Sequence, residues 1–185
     1  DVRWGGSVSA TNIDMDLVGR LYDAGCRFLQ IGIESGSKRV LSSMNKSINV
    51  ENLVKIVKRL SETGIWIHLF FMVGFPTERW EDFEDSLNLL IDLADYVDSI
   101  SISPFSPADR TPVCENSRLY EITRLDKLEI RTKIGSIPAG YVFESNYVND
   151  AELERRCAIM AELAHELGIL VGEFHSLIHI AMESD

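Results

Sequence analysis

Three short segments of the sequence offer residue types suited to a ligand-binding site, and each follows directly on an apolar run. The segments are Glu34-Ser35-Gly36, Gly74-Phe75-Pro76-Thr77-Glu78 and Ser103-Pro104-Phe105-Ser106-Pro107. A carboxylate beside a hydroxyl can accept hydrogen bonds from a diol or an amine, which is the chemistry that Glu34 and Ser35 offer. In the other two segments, Gly74 lets a ligand approach the backbone, Pro76 fixes the turn, and Phe105 can lie flat against a purine ring.

A structural role is the alternative for the hydroxyls of the first segment. Either Ser35 or Ser37 can cap a helix that begins near Lys38, because a serine oxygen accepts a hydrogen bond from the first turn of a helix. Capping does not require an acidic residue in front of the serine. Glu34 is therefore the stronger candidate for contact with a ligand.

The apolar runs also predict the elements that position these segments. Short runs bounded by glycine and proline indicate buried strands at residues 27–33, 65–73 and 97–103, with residues 2–4 able to form a further strand. Helical periodicity predicts helices that end near residue 24 or span 38–44, 50–63 and 78–95, with Asn12 or Asp14, Asn49 and Thr77 as caps. This alternation predicts a parallel α/β sheet or part of a barrel, whose strands end at one ligand-binding edge.

The pattern changes after Pro112. We expect helices at residues 119–134 and 150–167, an extended piece at 141–147 and an apolar tail at 169–182. The sequence therefore predicts two parts: residues 1–112 with the βα pattern, and a mainly helical C-terminal extension at residues 113–185.

Composition limits the expected partners and the expected compartment. The 185 residues include 18 basic and 29 acidic side chains, so the net charge is −11. Bulk charge therefore disfavours nucleic acid and anionic membranes as partners, and no apolar run reaches the length of about 20 residues that spans a bilayer. Three widely spaced cysteines predict no disulfide framework, which favours a cytoplasmic location.

Several motifs occur in the order and spacing of a known family. They are residues 24–37 (Ala-Gly-Cys-Arg-Phe-Leu-Gln-Ile-Gly-Ile-Glu-Ser-Gly-Ser), Val40-Leu41, Met44-Asn45-Lys46 and Val73-Gly-Phe-Pro-Thr-Glu78. Over residues 1–112 the chain resembles the later half of a radical S-adenosylmethionine (SAM) barrel. It is most similar to the branch of methylthiotransferases and cobalamin-domain radical SAM proteins.

The resemblance implies a partial TIM-type (βα) barrel and a SAM site. Glu34 and Ser35 would contact the ribose or methionine part of SAM, while Gly74, Phe75 and Pro76, together with the strand end at Phe105, would line the adenine. A basic residue near this point, Lys38 or Arg39, would reach the SAM carboxylate by the same analogy. Relatives carry Pro-Gly-Thr-Pro where this chain has Ala-Asp-Arg-Thr-Pro at residues 108–112, which leaves the tight turn of that loop in doubt.

One family motif is missing from this sequence. The family binds a 4Fe-4S cluster with Cys-x3-Cys-x2-Cys, and Cys26, Cys114 and Cys157 cannot imitate that spacing. Cys26 is expected to be a small buried hydrophobic residue. We therefore expect a C-terminal fragment of a longer enzyme that is inactive alone. The parent would hold the cluster, and a cobalamin domain could lie upstream. It would generate a 5′-deoxyadenosyl radical for hydrogen abstraction or for methyl or methylthio transfer on an unknown substrate.

Other readings of the chemistry stay open at this point. The fold could instead carry a non-catalytic nucleotide-binding or interaction module, or an enzyme that uses Glu34 as a general base. His175 and His179 have a zinc-compatible spacing but lack the acidic residue that such a motif requires, so no metal site is predicted. His68 is expected to be a hydrogen-bonded residue of the core or of a pocket wall. An exposed edge of the parallel sheet could form a homodimer.

Overall fold

The computed structural model describes residues 2–132, 135–173 and 176–177. Its strands are β1 (Trp4–Ser9), β2 (Cys26–Glu34), β3 (Trp66–Val73), β4 (Ser99–Pro104), β5 (Ile122–Thr132), β6 (Gly135–Ser145) and β7 (Leu170–Val171). Its α-helices are α1 (Met15–Leu21), α2 (Lys38–Ser43), α3 (Val50–Ser61), α4 (Trp80–Leu93), α5 (Pro112–Glu115) and α6 (Asp150–Glu166). Two short 3-10 helices lie at Ala94–Tyr96 and Ser117–Tyr120.

The main sheet has five parallel strands in the order β1-β2-β3-β4-β7. The strands predicted at residues 27–33, 65–73 and 97–103 are present, whereas the further strand expected at residues 2–4 begins at Trp4 and runs to Ser9. The predicted parallel arrangement is confirmed. The carboxyl ends of β2, β3 and β4 therefore meet at one edge. Glu34 ends β2, Gly74 follows β3, and Phe105 follows β4, so the three predicted segments lie at this edge.

The two faces of the sheet differ in chemistry. Leu29, Ile67 and Ile100 belong to one face and join a single apolar core with side chains of α1, α3, α4 and α6. Burial of each such side chain stabilises the fold by about 1.5–3 kcal/mol. On the opposite face the register aligns a polar row across four strands, Ser7, Gln30, His68 and Ser99. A sheet with helices packed on its apolar face matches the wall of a (βα) barrel, whose helices form an outer ring.

The helices begin where the sequence offers a capping side chain. Asp14 accepts a hydrogen bond from Leu17 N at 2.8 Å, and Asn49 accepts one from Asn52 N at 2.8 Å. These caps, worth about 1 kcal/mol each, confirm Asn49 and select Asp14 over Asn12. Thr77 as the cap of α4 is wrong, because α4 begins at Trp80 and the Asp82 carboxylate instead accepts the hydrogen bond of Arg79 N.

The helix predicted at residues 119–134 is wrong, because Ile122–Thr132 forms β5, which pairs antiparallel with β6. Ile122, Leu125 and Leu128 stand three residues apart and resemble a helical stripe. The pairing contains irregularities after Ile122 and after Leu128, and an extra residue in a strand brings positions three apart onto one face. Ile122 and Leu125 do join one apolar cluster. The extended piece expected at 141–147 is confirmed as part of β6.

The helix predicted at residues 150–167 is confirmed as α6, the helical part of the C-terminal extension. Met160 and Ala164 of α6 are fully buried in the main core beside the sheet. The predicted division at Pro112 stays a prediction. No helix in the described ranges is both long and apolar enough to cross a membrane. His175, His179 and half of the predicted apolar tail lie outside the described residues.

Candidate functional site at the carboxyl edge of the sheet

Glu34 adopts a backbone conformation that is unusual for a residue with a side chain. Its φ is +70°, in the left-handed region, and the β2–β3 pairing is irregular between Gly32 and Glu34. Such a conformation costs on the order of 1–3 kcal/mol and persists only where surrounding contacts hold it. Local strain of this kind at the end of a barrel strand is typical of a functional position.

The Glu34 carboxylate is buried and has one partner among the described residues. Oε1 accepts a hydrogen bond from Lys46 Nζ at 2.9 Å, whereas Oε2 is buried without a hydrogen-bond partner in the described part of the chain. An unpaired buried acceptor costs on the order of 1–3 kcal/mol. Oε2 is therefore an acceptor that a bound ligand could satisfy.

The carboxylate of Glu34 lies over the polar face of the sheet. A Cβ built on Gly32 would stand 3.3 Å from Glu34 Oε1, and Gly32 shares its register row with Phe70 and Ser101. Because Gly32 has no side chain, the carboxylate can fold back across it. Glu34 thus lies over the polar face of its own strand, and its predicted contact with a ligand stays a prediction.

Lys46 is a functional candidate that the sequence did not single out, although it stands in the Met44-Asn45-Lys46 motif. Asn45 is left-handed with φ +56°, and Lys46 N donates to Leu41 O at 2.8 Å, which closes the end of α2. This closure aims the lysine at Glu34. The cations that the sequence suggested are engaged elsewhere: Lys38 pairs with Glu51 at 2.6 Å, and Arg39 pairs with Asp82.

Ser35 lies beside Glu34 in sequence, but its hydroxyl is directed elsewhere. Ser35 is fully buried, and its Oγ is 3.2 Å from Ser86 Oγ of α4 while it accepts a hydrogen bond from Ser37 N at 3.1 Å. Ser37, rather than Ser35, caps α2. The structure therefore brings the hydroxyl of Ser35 to the helix layer and does not bring it together with the Glu34 carboxylate.

Gly74 is required by packing as well as by its turn. Its φ is +79°, and a Cβ at this position would stand 2.0 Å from Leu153 Cδ2 of α6. A side chain at this position would force Leu153 to move, because a Cβ essentially never lies within 3.0 Å of another heavy atom. The N–H of Gly74 donates to Glu78 Oε2 at 2.7 Å. Gly74 therefore allows the end of β3 to pack directly beneath α6.

The structure brings Phe75 and Phe105 together in an aromatic cluster. Their ring centroids are 5.0 Å apart in an edge-to-face arrangement, and Phe105 makes a similar contact with Phe143 of β6 at 5.5 Å. Phe75 is 3% exposed and Pro76 is buried, whereas Phe105 is half-buried. The side chain of Phe105 is therefore only partly covered, and the buried Phe75 packs against it.

His68 anchors a buried hydrogen-bond network on the polar face of the sheet. Its Nδ1 and Nε2 lie 2.8 Å from Ser99 Oγ and Ser101 Oγ respectively. Ser101 Oγ donates to Gly172 O, so it accepts from Nε2–H. Trp66 Nε1 donates to Ser99 Oγ, which leaves the Ser99 proton for Nδ1. This network assigns the neutral Nε2–H tautomer, and burial lowers the pKa of His68 to about 4. The prediction of a hydrogen-bonded core histidine is confirmed.

The residues present do not fit a 4Fe-4S cluster. Cys26 is fully buried in the main core, where burial raises the pKa of its thiol, while Cys114 lies on α5 and Cys157 on α6. The described ranges contain no group of three His, Cys, Asp or Glu side chains that could hold a metal ion. The sequence contains no Cys-x3-Cys-x2-Cys spacing. The predicted burial of Cys26 is confirmed.

The fold and this edge define a class of protein: an α/β protein that forms part of a TIM-type (βα) barrel, with a candidate ligand site where the strands end. Residues 1–90 match the family model described as the radical SAM superfamily. For this part of the chain the match confirms the resemblance noted in the sequence.

Curated proteins are also similar in sequence to this chain. The chain is 26% identical over 159 residues to the tRNA-2-methylthio-N(6)-dimethylallyladenosine synthase of Ruegeria sp. (strain TM1040), covering 83% of this chain and 34% of the relative. It is 36% identical over 90 residues to the synthase of the same name from Zymomonas mobilis subsp. mobilis, covering 48% and 20% respectively. The chain thus spans about a third or less of the length of these relatives.

Solved structures agree on the fold. Coproporphyrinogen III oxidase from Escherichia coli, a radical SAM enzyme, matches with a TM-score of 0.62 at 14% identity, covering 91% of this chain and 33% of that chain. A radical SAM methyltransferase from Kitasatospora setae, solved with cobalamin and a 4Fe-4S cluster, matches with a TM-score of 0.64 at 16% identity, covering 90% and 36%. The predicted barrel-type fold is confirmed.

Proposed function

We propose that this chain supplies a SAM-binding edge of a radical SAM enzyme. The observation that carries the proposal is the strained, buried Glu34, whose Oε1 pairs with Lys46 and whose Oε2 has no partner in the described part of the chain. A ribose diol or the ammonium group of the methionine part would donate a hydrogen bond to Oε2. Binding would thereby remove the cost of a buried unpaired acceptor.

Lys46 gives this site a second point of recognition. Its side chain is 38% exposed and its ammonium group lies 2.9 Å from Glu34 Oε1. Since an ammonium group carries three donors, Lys46 can bind Glu34 and a ligand carboxylate together. SAM offers such a carboxylate next to its amine, so the Glu34–Lys46 pair matches the charges of an amino acid. The accessible ring surface of Phe105 would take the adenine.

Radical chemistry is proposed only for a longer enzyme. The family uses SAM with a 4Fe-4S cluster, and residues outside this sequence would hold that cluster. A cobalamin domain upstream belongs to the same proposal. Methylthio transfer is the activity that the name of the curated relative supports, and hydrogen abstraction or methyl transfer belongs to the proposal through the family resemblance alone. We assign no step of it to residues of this chain, whose substrate stays unidentified, and we propose a cytoplasmic location.

Titration with SAM and with S-adenosylhomocysteine, followed by isothermal calorimetry, tests the proposal. Glu34→Gln should weaken binding of both by about tenfold or more, because a charge-assisted hydrogen bond is worth on the order of 1.5–3 kcal/mol. Glu51→Gln is the matched control, since Glu51 also pairs with a lysine but is exposed. Equal affinities for the wild type and Glu34→Gln would refute the assignment of Glu34.

Lys46→Met separates the two recognition points. It should weaken SAM binding while leaving 5′-methylthioadenosine, which lacks the amino-acid part, bound as by the wild type. A plain nucleotide-binding module predicts instead that the wild type binds both compounds equally.

The same samples can test the proposed homodimer through the edge strand β1, because a dimer would have twice the monomer mass in size-exclusion chromatography with light scattering.

A further inference from the structure

A buried ion pair ties the loop after β3 to the C-terminal helix. Arg156 Nη1 of α6 donates to Glu78 Oε2 at 2.9 Å, and the side chains are 2% and 1% exposed respectively. The same nitrogen donates to the carbonyl oxygen of Glu78 at 3.0 Å. Arg156 therefore holds this loop at a side chain and at the backbone, which fixes position more firmly than a single contact.

The guanidinium group is itself held in place from other sides. Its Nε donates to Glu152 Oε1 at 3.0 Å, one turn earlier on α6, and its Nη2 donates to Tyr147 O at 3.5 Å. Its Cζ lies 5.7 Å from the ring centroid of Phe83 on α4. These partners hold the guanidinium group in one position. The position of the loop after β3 therefore depends on Arg156.

The loop transmits this constraint to the ligand edge. Glu78 Oε2, the oxygen that Arg156 binds, also accepts the hydrogen bond of Gly74 N at 2.7 Å, and Glu78 N donates to Phe75 O at 2.7 Å. These two hydrogen bonds close a tight turn and hold Gly74 and Phe75, at its start, against Glu78, at its end. Phe75 in turn packs edge-to-face against Phe105, whose exposed ring surface belongs to the proposed adenine site.

We propose that Arg156 is a positioning residue of the ligand site, which acts through Glu78 on Gly74 and Phe75 and, through Phe75, on Phe105. The inference rests on the proposed function for the identity of the ligand. Arg156 lies outside residues 1–90, the part that matches the superfamily. The C-terminal extension thus has a direct part in shaping the site.

The variants must separate positioning from simple loss of folding. Arg156→Met alone leaves a buried carboxylate without its charge partner, which is strongly destabilising. The double variant Glu78→Gln/Arg156→Met removes the pair without that charge, and Glu78→Gln alone keeps an oxygen that can accept from Gly74 N and from Arg156. Arg155→Met is the matched control, because Arg155 is adjacent on α6 but 62% exposed.

The experiment combines amide hydrogen exchange by NMR with SAM titration. In the double variant we expect the Gly74 amide to exchange about tenfold faster or more, and SAM to bind about tenfold more weakly, as for loss of one buried hydrogen bond. Core amides such as Leu69 should keep their wild-type exchange. Arg155→Met should stay close to the wild type, and both changes in the double variant should exceed those in Glu78→Gln alone.

Each outcome bears on the proposal. Unchanged exchange at Gly74, or faster exchange with unchanged SAM affinity, would overturn the positioning role of Arg156. Faster exchange throughout the sheet would overturn it as well, since Arg156 would then act on stability alone. If the wild type binds no SAM, the proposed function fails. In that case the exchange at Gly74 alone decides whether Arg156 positions the loop.

Discussion

Protonation of His68 should make the folding stability of this protein depend on pH. The imidazole is fully buried, neutral and bonded at both nitrogens to serines of β4. Burial lowers its pKa to about 4 in the folded protein, whereas an unfolded chain has an ordinary histidine pKa of about 6.5. Between these values the unfolded state binds more protons, so the free energy of unfolding rises with pH.

The size of the effect follows from the two pKa values. A difference of about 2.5 units corresponds to about 3 kcal/mol once the pH falls below both values. Between about pH 7.5 and pH 5 the contribution of His68 should fall by about 2 kcal/mol, since the folded protein is still almost unprotonated at this site. Urea unfolding at several pH values, followed by circular dichroism, measures this loss directly.

His68→Gln isolates the contribution, because an amide can bond to the serines but does not titrate. The variant should lose about 2 kcal/mol less than the wild type between these pH values, whatever its absolute stability. His165→Gln is the control for loss of an exposed imidazole on α6. If His68→Gln and the wild type showed the same pH dependence, His68 would not be neutral in the folded state, and the assigned network would be wrong.

Three further predictions concern the packing at Gly74, the turn at Asn45 and the binding of a 4Fe-4S cluster. Gly74→Ala should destabilise by about 3 kcal/mol or more in urea unfolding, because its Cβ would meet Leu153, whereas Gly168→Ala, with φ +75° and open space, should cost about 1 kcal/mol. An equal cost at both positions would contradict the packing reason. Asn45→Gly should keep SAM affinity and Asn45→Val should lower it, because only the former tolerates the left-handed residue that aims Lys46 at Glu34. Incubation of this chain with iron and sulfide should yield no cluster absorbance in the visible range, and such a band would contradict the absence of a cluster site.

The parallel sheet was predictable because its signals are local. The apolar runs of β2 and β3 and the caps Asp14 and Asn49 each lie within a few residues of the element that they define. The order of strands and helices then left few topologies open. The local pattern gave a wrong prediction, a helix, at β5. The bulge that places Ile122 and Leu125 on one face depends on pairing with β6. A spacing of three therefore does not identify a helix by itself.

The site itself was predictable only in part. Glu34 follows from its place after an apolar strand, but Lys46 reaches it through the left-handed turn at Asn45, which sequence spacing does not reveal. Ser35 was expected to contact the ligand by the family resemblance and as a hydroxyl beside the Glu34 carboxylate. Adjacent residues near a strand end point to opposite sides, and its hydroxyl instead contacts Ser86.

Two glutamates follow neighbouring strands of the same sheet, and only their partners separate their roles. The side chain of Glu78 is 1% exposed, and α6 covers it and supplies Arg156. The side chain of Glu34 is 12% exposed, and its partner Lys46 is 38% exposed and has further ammonium donors that a ligand could use. Each has one oxygen without a hydrogen-bond partner among the described residues, but only that of Glu34 belongs to a side chain that solvent still reaches. We therefore propose that the carboxylate covered by α6 and paired with Arg156 shapes the loop, and that the carboxylate beside the more exposed Lys46 is the one that accepts a ligand.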